Sequence, residues 1–98
     1  MSETFDGGSE GVPCVLSEDV TAFMMDRTLP PWAMGPIVAA MVEIGETRGL
    51  VAGSTAAEGW PECRLLPLGE DGALGIIEYV IVKDVLPPQV IVTRILLY

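Results

Sequence analysis

The chain has 98 residues, half of them hydrophobic, which is enough for one globular domain with a single core and excludes a disordered protein. It carries 14 acidic and 5 basic residues and no histidine, a formal charge of −9. A chain this acidic repels phosphates unless its few bases are gathered at one place, so direct nucleic-acid binding is disfavoured and a basic protein partner is favoured. The alternative is that the acidity only keeps an apolar protein in solution.

The sequence gives no sign of membrane insertion or export. No apolar stretch reaches the ~20 residues that a membrane-spanning helix requires, and the N-terminus has neither the basic nor the apolar region of a signal peptide. We therefore expect a cytoplasmic protein that does not bind a membrane. In that compartment Cys14 and Cys63 are expected to be two buried free thiols.

Residues 1–11 are predicted to form a flexible acidic tail. They are rich in glycine, serine and acids, and Phe5 is their only bulky apolar side chain, so they bury too little apolar surface to offset the entropy of ordering them. Residues 12–98 are predicted to form a single α+β domain. Its first element, residues 12–16, is a short apolar run that Pro13 restricts to the edge of a sheet.

A first helix is predicted at residues 18–28. Ser17 can cap its free amide groups, and Glu18 and Asp19 then lie at the positive end of the helix dipole. The apolar face of this helix consists of Val20, Phe23 and Met24.

A second helix is predicted at residues 36–48, after a break at residues 29–32. Pro36 has the fixed φ that suits a first helical turn, and Gly49 can end the helix in a left-handed conformation. Its apolar residues recur at three- and four-residue spacing, which is the period of an amphipathic helix. They are Ile37, Val38, Met41, Val42 and Ile44.

Residues 49–62 are predicted to form a loop around Trp60. We expect Trp60 to close the edge of the core, and the alternative is that it contacts a ligand or partner. Residues 63–68 are predicted to form a short strand, and the Glu-Asp-Gly sequence at 70–72 a turn into the next strand.

The C-terminal part, residues 74–98, is predicted to form a long antiparallel hairpin. Its two apolar runs, 76–82 and 90–97, are rich in β-branched residues, and the connector between them has two prolines and no room for a crossover helix. The fold class is therefore α+β, with two N-terminal helices packed on a small, mainly antiparallel curved sheet that ends in this hairpin. Both faces of the hairpin are largely apolar, and the helices can cover only one. We expect the other face to require a protein partner or a homodimer through the sheet.

The residues needed for common catalytic and metal sites are missing. Without a histidine, Ser17, Ser54 and Cys63 lack a general base, and a Cys-His zinc site is impossible. The adjacent acids at 18–19 and 70–71 are better explained by a helix cap and a turn than by a metal site. We expect no cofactor and no metal.

Three stretches of the chain, taken with the order of the elements, carry a resemblance to a known family. They are Gly-Trp-Pro-Glu-Cys-Arg-Leu-Leu-Pro at 59–67, Ile-Ile-Glu-Tyr-Val-Ile at 76–81 and Val-Ile-Val-Thr-Arg-Ile-Leu at 90–96. The chain from Val12 to Tyr98 resembles the ParE/RelE superfamily of bacterial toxins. That resemblance implies two helices on a curved antiparallel sheet and an antitoxin chain that wraps the exposed surface.

The resemblance also implies site residues. Arg64 resembles the arginine of the family's second strand, Tyr79 the tyrosine of its third and Arg94 the arginine of its last, and Trp60 is our candidate aromatic anchor beside them. Ile76 stands where ribonuclease members tend to have an arginine, and Leu97 stands where a histidine commonly follows. These two positions therefore lack the groups that would transfer a proton and stabilise the phosphorane in RNA cleavage.

Two functions follow as expectations. The first is a toxin-fold protein of a toxin–antitoxin pair that acts by binding, with DNA gyrase as the target that the ParE branch implies. The second is an acidic interaction or inhibitor protein on the same fold that binds a basic protein. In either case Arg64 and Arg94 have a structural interpretation as partners of acids such as Glu62 and Glu78.

Overall fold

A computed structural model describes residues 11–98, so the predicted tail lies outside the described residues except for Gly11. The elements, in chain order, are β1 (Cys14–Leu16), α1 (Glu18–Met24), α2 (Pro31–Glu46), β2 (Thr55–Ala57), β3 (Trp60–Leu68), a short 3₁₀ turn (Glu70–Gly72), β4 (Gly75–Val82) and β5 (Gln89–Leu97). The fold class is α+β, as predicted.

The five strands form one open sheet in the order β1-β5-β4-β3-β2. β1 pairs with β5 in parallel, and the remaining neighbours are antiparallel, so the sheet is mainly antiparallel and β1 is an edge strand as predicted. The predicted C-terminal hairpin is β4 and β5, which pair from Gly75 with Leu97 to Val82 with Gln89. A bulge after Glu78 interrupts this pairing.

Helix α1 begins as predicted but ends earlier. The Ser17 hydroxyl accepts a hydrogen bond from the Val20 amide at 3.2 Å. The helix stops at Met24 and not near Thr28, because the Asp26 carboxylate accepts bonds from the Thr28 amide (2.8 Å) and hydroxyl (2.7 Å). A short side chain that bonds the backbone two residues on favours a turn over a further helical turn.

Helix α2 starts five residues before the predicted position. Pro31, and not Pro36, occupies the first turn, where a proline lacks only an amide that would have no helical partner. Pro36 lies inside the helix. Val38 and Val42, which we placed on the apolar face, are 45% and 54% exposed.

The core lies between the two helices and one face of the sheet. Tyr79, the largest fully buried side chain, comes from the middle of β4. Helix α2 adds Ala33, Ile37, Ala40 and Ile44 at three- and four-residue spacing, and α1 adds Val20. The sheet residues of this core are Leu66, Leu68, Ile77, Tyr79, Val90, Val92 and Ile95.

The predicted loop at 49–62 is more regular than the sequence indicated. It contains β2, and β3 begins at Trp60 and not at Cys63. β2 pairs with β3 from Thr55 with Leu65 to Ala57 with Trp60, and a register shift follows Ala56. Within residues 11–98, no helix is long and apolar enough to cross a membrane.

Candidate functional site

Three of the five basic residues lie around one cavity of about 400 Å³, although they are far apart in the sequence. Arg48 follows α2, Arg64 lies in β3 and Lys83 follows β4. Of the described residues that line the cavity, Glu62 is the only acid. The remainder of the lining is mostly apolar. Those apolar residues are Val12, Leu50, Pro61, Ile81 and Pro88. We call this cavity the basic pocket.

Arg64 is fixed in the basic pocket by a neutral residue. Its Nε donates to the Ser54 hydroxyl at 3.0 Å, and its Nη2 donates to the Ser54 carbonyl at 3.1 Å. The Ser54 hydroxyl in turn donates to the Val51 carbonyl at 2.6 Å. Within the described residues, the side-chain hydrogen bonds of Arg64 go to Ser54 and not to the predicted partners Glu62 and Glu78. These bonds occupy one edge of the guanidinium and hold it in place.

Arg48 reaches the basic pocket from an unusual backbone conformation. Its φ is +58°, and that of Gly49 is +89°. A left-handed conformation costs a non-glycine residue about 1 kcal/mol or more, and such positions persist where the surrounding structure fixes them. Here the buried Tyr79 hydroxyl donates to the Gly49 carbonyl at 2.6 Å, and the Gly49 amide donates to the Ile44 carbonyl at 2.8 Å.

Gly49 is required at this turn for a second reason. A Cβ atom at this position would lie 2.6 Å from Cγ1 of Ile81, which lines the basic pocket. Tyr79 thus has a structural role: it is fully buried, and it fixes the turn that carries Arg48. Because Tyr79 pairs directly with Arg64, both residues belong to the helix-covered face of the sheet.

Trp60 lies beside the basic pocket and does not close the core. Its side chain is 52% exposed, so the predicted role at the core edge is wrong. Trp60 lines a shallow neighbouring cavity together with Glu62, Ile81 and Lys83, which also line the basic pocket. An exposed aromatic side chain thus adjoins the bases.

Arg94 lies on the other face of the sheet. It pairs with Glu78, which in turn pairs with Leu65, and these three residues alternate with the buried ones. The Glu78 carboxylate accepts a hydrogen bond from the Thr93 hydroxyl at 2.7 Å. The structure therefore places Arg64 beside Tyr79 on the helix-covered face, with Trp60 in the cavity next to the basic pocket, and it separates Arg94 from them.

Among residues 11–98, no helix packs on the face that carries Arg94, and we call it the open face. Within the described chain its side chains are mainly apolar and partly exposed. Leu96 is 49% exposed and Val15 39% exposed. The apolar residues of the open face are Val15, Leu65, Ile76, Val80, Val82, Ile91 and Leu96.

Two free thiols lie on opposite faces of the sheet. Cys14 is partly buried and packs against the core, and its burial raises its pKa above the ordinary value. Cys63 is buried on the open face, where desolvation and then the charge of Glu78 raise its pKa. A thiol whose pKa is raised is mostly protonated at neutral pH and is a poor nucleophile.

The basic pocket offers groups that can bind an anion, because arginine and lysine donate charge-assisted hydrogen bonds. The chain has no histidine, the side chain that ordinarily titrates near neutral pH. Among residues 11–98, no group of three or more histidine, cysteine or acidic residues is placed to hold a metal ion.

Comparison of the chain with known proteins found no relative. No protein-family model, no curated protein and no solved structure matches the chain.

Sequence reasoning missed two of the three bases of the pocket. Arg48 directly precedes Gly49, the expected end of the second helix, and Lys83 lies in the connector of the hairpin, and neither was selected as a site residue. The sequence did contain a signal for both bases. Each lies at the end of a helix or strand, where binding residues are common. In a chain with so few bases, an anion could be bound only where several of them come together.

Proposed function

We propose that this protein is a ParE/RelE-like toxin-fold protein of a toxin–antitoxin pair and that it acts by binding a protein and not by catalysis. The observation that carries the proposal is the open face, an apolar sheet surface with no helix on it within the described residues. Isolated apolar side chains are ordinary on a protein surface, but a contiguous apolar set marks an interaction site.

The arrangement of layers supports the toxin fold. Two N-terminal helices lie on one face of a mainly antiparallel sheet that ends in a long hairpin, which is the arrangement that the resemblance implies. An antitoxin chain laid across the open face would bury Leu96, Val15 and their neighbours. The same face offers a homodimer interface when no antitoxin is present.

The positions of the two family-like arginines support binding over catalysis. Arg64 lies on the helix-covered face and Arg94 on the open face, so the two side chains do not converge on one substrate. Ribonuclease chemistry requires a proton-transfer group and a cluster of charges around the reacting phosphate. With no histidine in the chain, a docked protein is the better target, and DNA gyrase is the one that the resemblance to the ParE branch implies.

Expression in growing bacteria tests this proposal. We expect growth arrest with an induced DNA-damage response and no new messenger RNA ends at the ribosome. Leu96→Glu should relieve the arrest, because it places a charge on the open face at a half-exposed position that the fold tolerates. Val42→Glu is the matched control: it makes the same charge change at an exposed apolar position of α2.

Two outcomes would contradict the proposal. The first is new transcript ends that vanish with Arg64→Gln/Arg94→Gln while the double variant stays folded. The second is a loss of toxicity with Val42→Glu and not with Leu96→Glu, which would place the target site on α2.

A second candidate is an acidic inhibitor that binds a basic protein. This candidate is favoured because three of the five bases line the basic pocket. The rest of the chain, which has 14 acids in all, then has only Arg27 and Arg94 as bases and is strongly negative. The surface away from the pocket then attracts cationic partners. No growth effect, together with salt-sensitive binding to a basic protein, would favour this candidate.

A further inference from the structure

We propose that the basic pocket binds a small amphiphilic anion, a single carboxylate or phosphate group joined to an apolar body. This site goes beyond the proposed function, which uses the opposite face of the sheet. The volume of about 400 Å³ falls within the range of small-molecule sites, which are mainly apolar with a few converging polar groups.

The charges of the pocket select an anion. Among the described residues, three bases and one acid line it, in a protein whose formal charge is −9. Such a concentration of bases is unexpected if charges are placed only for solubility. Arg64 in β3 and Lys83, which follows the neighbouring strand β4, both line the pocket, so each can offer a positive charge to an anionic group bound there.

The pocket is organised before a ligand arrives. Ser54 holds the Nε and Nη2 edge of Arg64, so the two Nη1 hydrogens are not used by these bonds and can be offered to a ligand. The left-handed turn at Arg48 and Gly49 is fixed by the Tyr79 hydroxyl. Preorganisation of this kind lowers the entropy cost of binding.

The apolar part of the lining selects the body of the ligand. Leu50 is 66% exposed, and Ile81 forms the wall against which Gly49 packs. Contact between these side chains and a hydrocarbon group buries apolar surface and so favours binding, whereas contact with a bare ion does not. A long polyanion is disfavoured because the acidic remainder of the chain repels its further phosphates.

The test is titration of the full-length chain with octanoate, followed by the fluorescence of Trp60. Trp32→Phe is used as the background, because Trp32 and Trp60 are the two tryptophans and Trp32 is 51% exposed. We expect saturable binding of octanoate and of octyl phosphate. Octanol and inorganic phosphate should each bind at least about tenfold more weakly, because each lacks one half of the interaction.

Charge-matched variants then locate the site. Arg64→Gln should weaken octanoate binding about tenfold, the loss expected for one charge-assisted hydrogen bond. Lys83→Gln should weaken it in the same direction, and because Lys83 is exposed, this variant keeps its fold. Arg94→Gln makes the same charge change on the open face and should leave binding unchanged.

Three results would overturn the proposal. One is the absence of saturable octanoate binding, or binding equal to that of octanol. Another is an equal effect of Lys83→Gln and Arg94→Gln, which would indicate a general response to net charge. The third is tighter binding of a single-stranded RNA oligonucleotide than of octanoate, which would identify the pocket as a polyanion site. A loss of octanoate binding would leave the growth phenotype of the open face untouched, so the two proposals fail separately.

Discussion

Ile76 and Ile77 are neighbours with the same side chain and opposite environments. Ile77 is fully buried under the helices, whereas Ile76 is partly exposed on the open face next to Leu96. The period of a strand assigns the two residues to different faces, but the amount of burial is decided by what packs on each face. Within the described residues, β4 therefore packs one face against the helices of its own chain and leaves the other face partly exposed.

The largest expected effect comes from substituting these two residues separately. Ile77→Ala should lower the free energy of unfolding by about 3 kcal/mol, because it opens a cavity in a filled core. Ile76→Ala in the monomeric chain should cost only about 1 kcal/mol, because less apolar surface is lost from contact. Urea unfolding at low protein concentration measures both values, and equal costs would show that the open face is already covered.

The second effect concerns the buried hydroxyl beneath the basic pocket. Tyr79→Phe removes the donor to the Gly49 carbonyl and should cost about 1–2 kcal/mol, since a buried acceptor is left without its partner. Tyr98→Phe is the control, because Tyr98 is 74% exposed, and its change should stay within about 0.5 kcal/mol. If thermal or urea unfolding gives the two variants the same stability, the hydroxyl does not hold the turn.

The smallest effect is a dependence on alkaline pH. The folded state raises the pKa of Cys63, through burial and the charge of Glu78, so the unfolded chain releases the thiol proton at a lower pH. The contribution to stability is present below the thiol pKa of the unfolded chain, about 8.5, and is lost as pH rises from there through the raised pKa.

The variant Cys63→Ala removes this contribution. The difference in stability between the wild type and Cys63→Ala should therefore change as the pH rises above about 8.5, with the wild type losing more. Denaturant unfolding at several pH values measures it. A difference that stays constant with pH would mean that the folded environment of Cys63 does not disfavour the thiolate.

Much of the fold could be predicted because local signals agreed with tertiary packing. The β-branched runs of the hairpin, the Ser17 cap and the edge strand that follows Pro13 have the structure that their residue types favour. The start of α2 could not be predicted from the sequence, because Pro31 can either break a helix or begin one. Only the packing of Ala33 on the core distinguishes these outcomes.

The candidate site was less predictable than the fold. Arg64 and Trp60 were selected from the sequence, but the pocket also needs Arg48 and Lys83, which the pairing of strands and one left-handed turn bring to the same place. Strand register also separates Arg94 from Arg64, and register depends on the bulge after Glu78 and on pairing across the whole sheet. None of this is visible in the spacing of residues along the chain.

The central claim is that the open face is a protein-binding surface, and sedimentation velocity of the purified full-length chain at micromolar concentration tests it most directly. We predict that the chain alone is a dimer or binds a hydrophobic dye, and that Leu96→Glu shifts it toward a monomer whereas Val42→Glu does not. A wild-type chain that sediments as a monomer and binds no dye would contradict the claim.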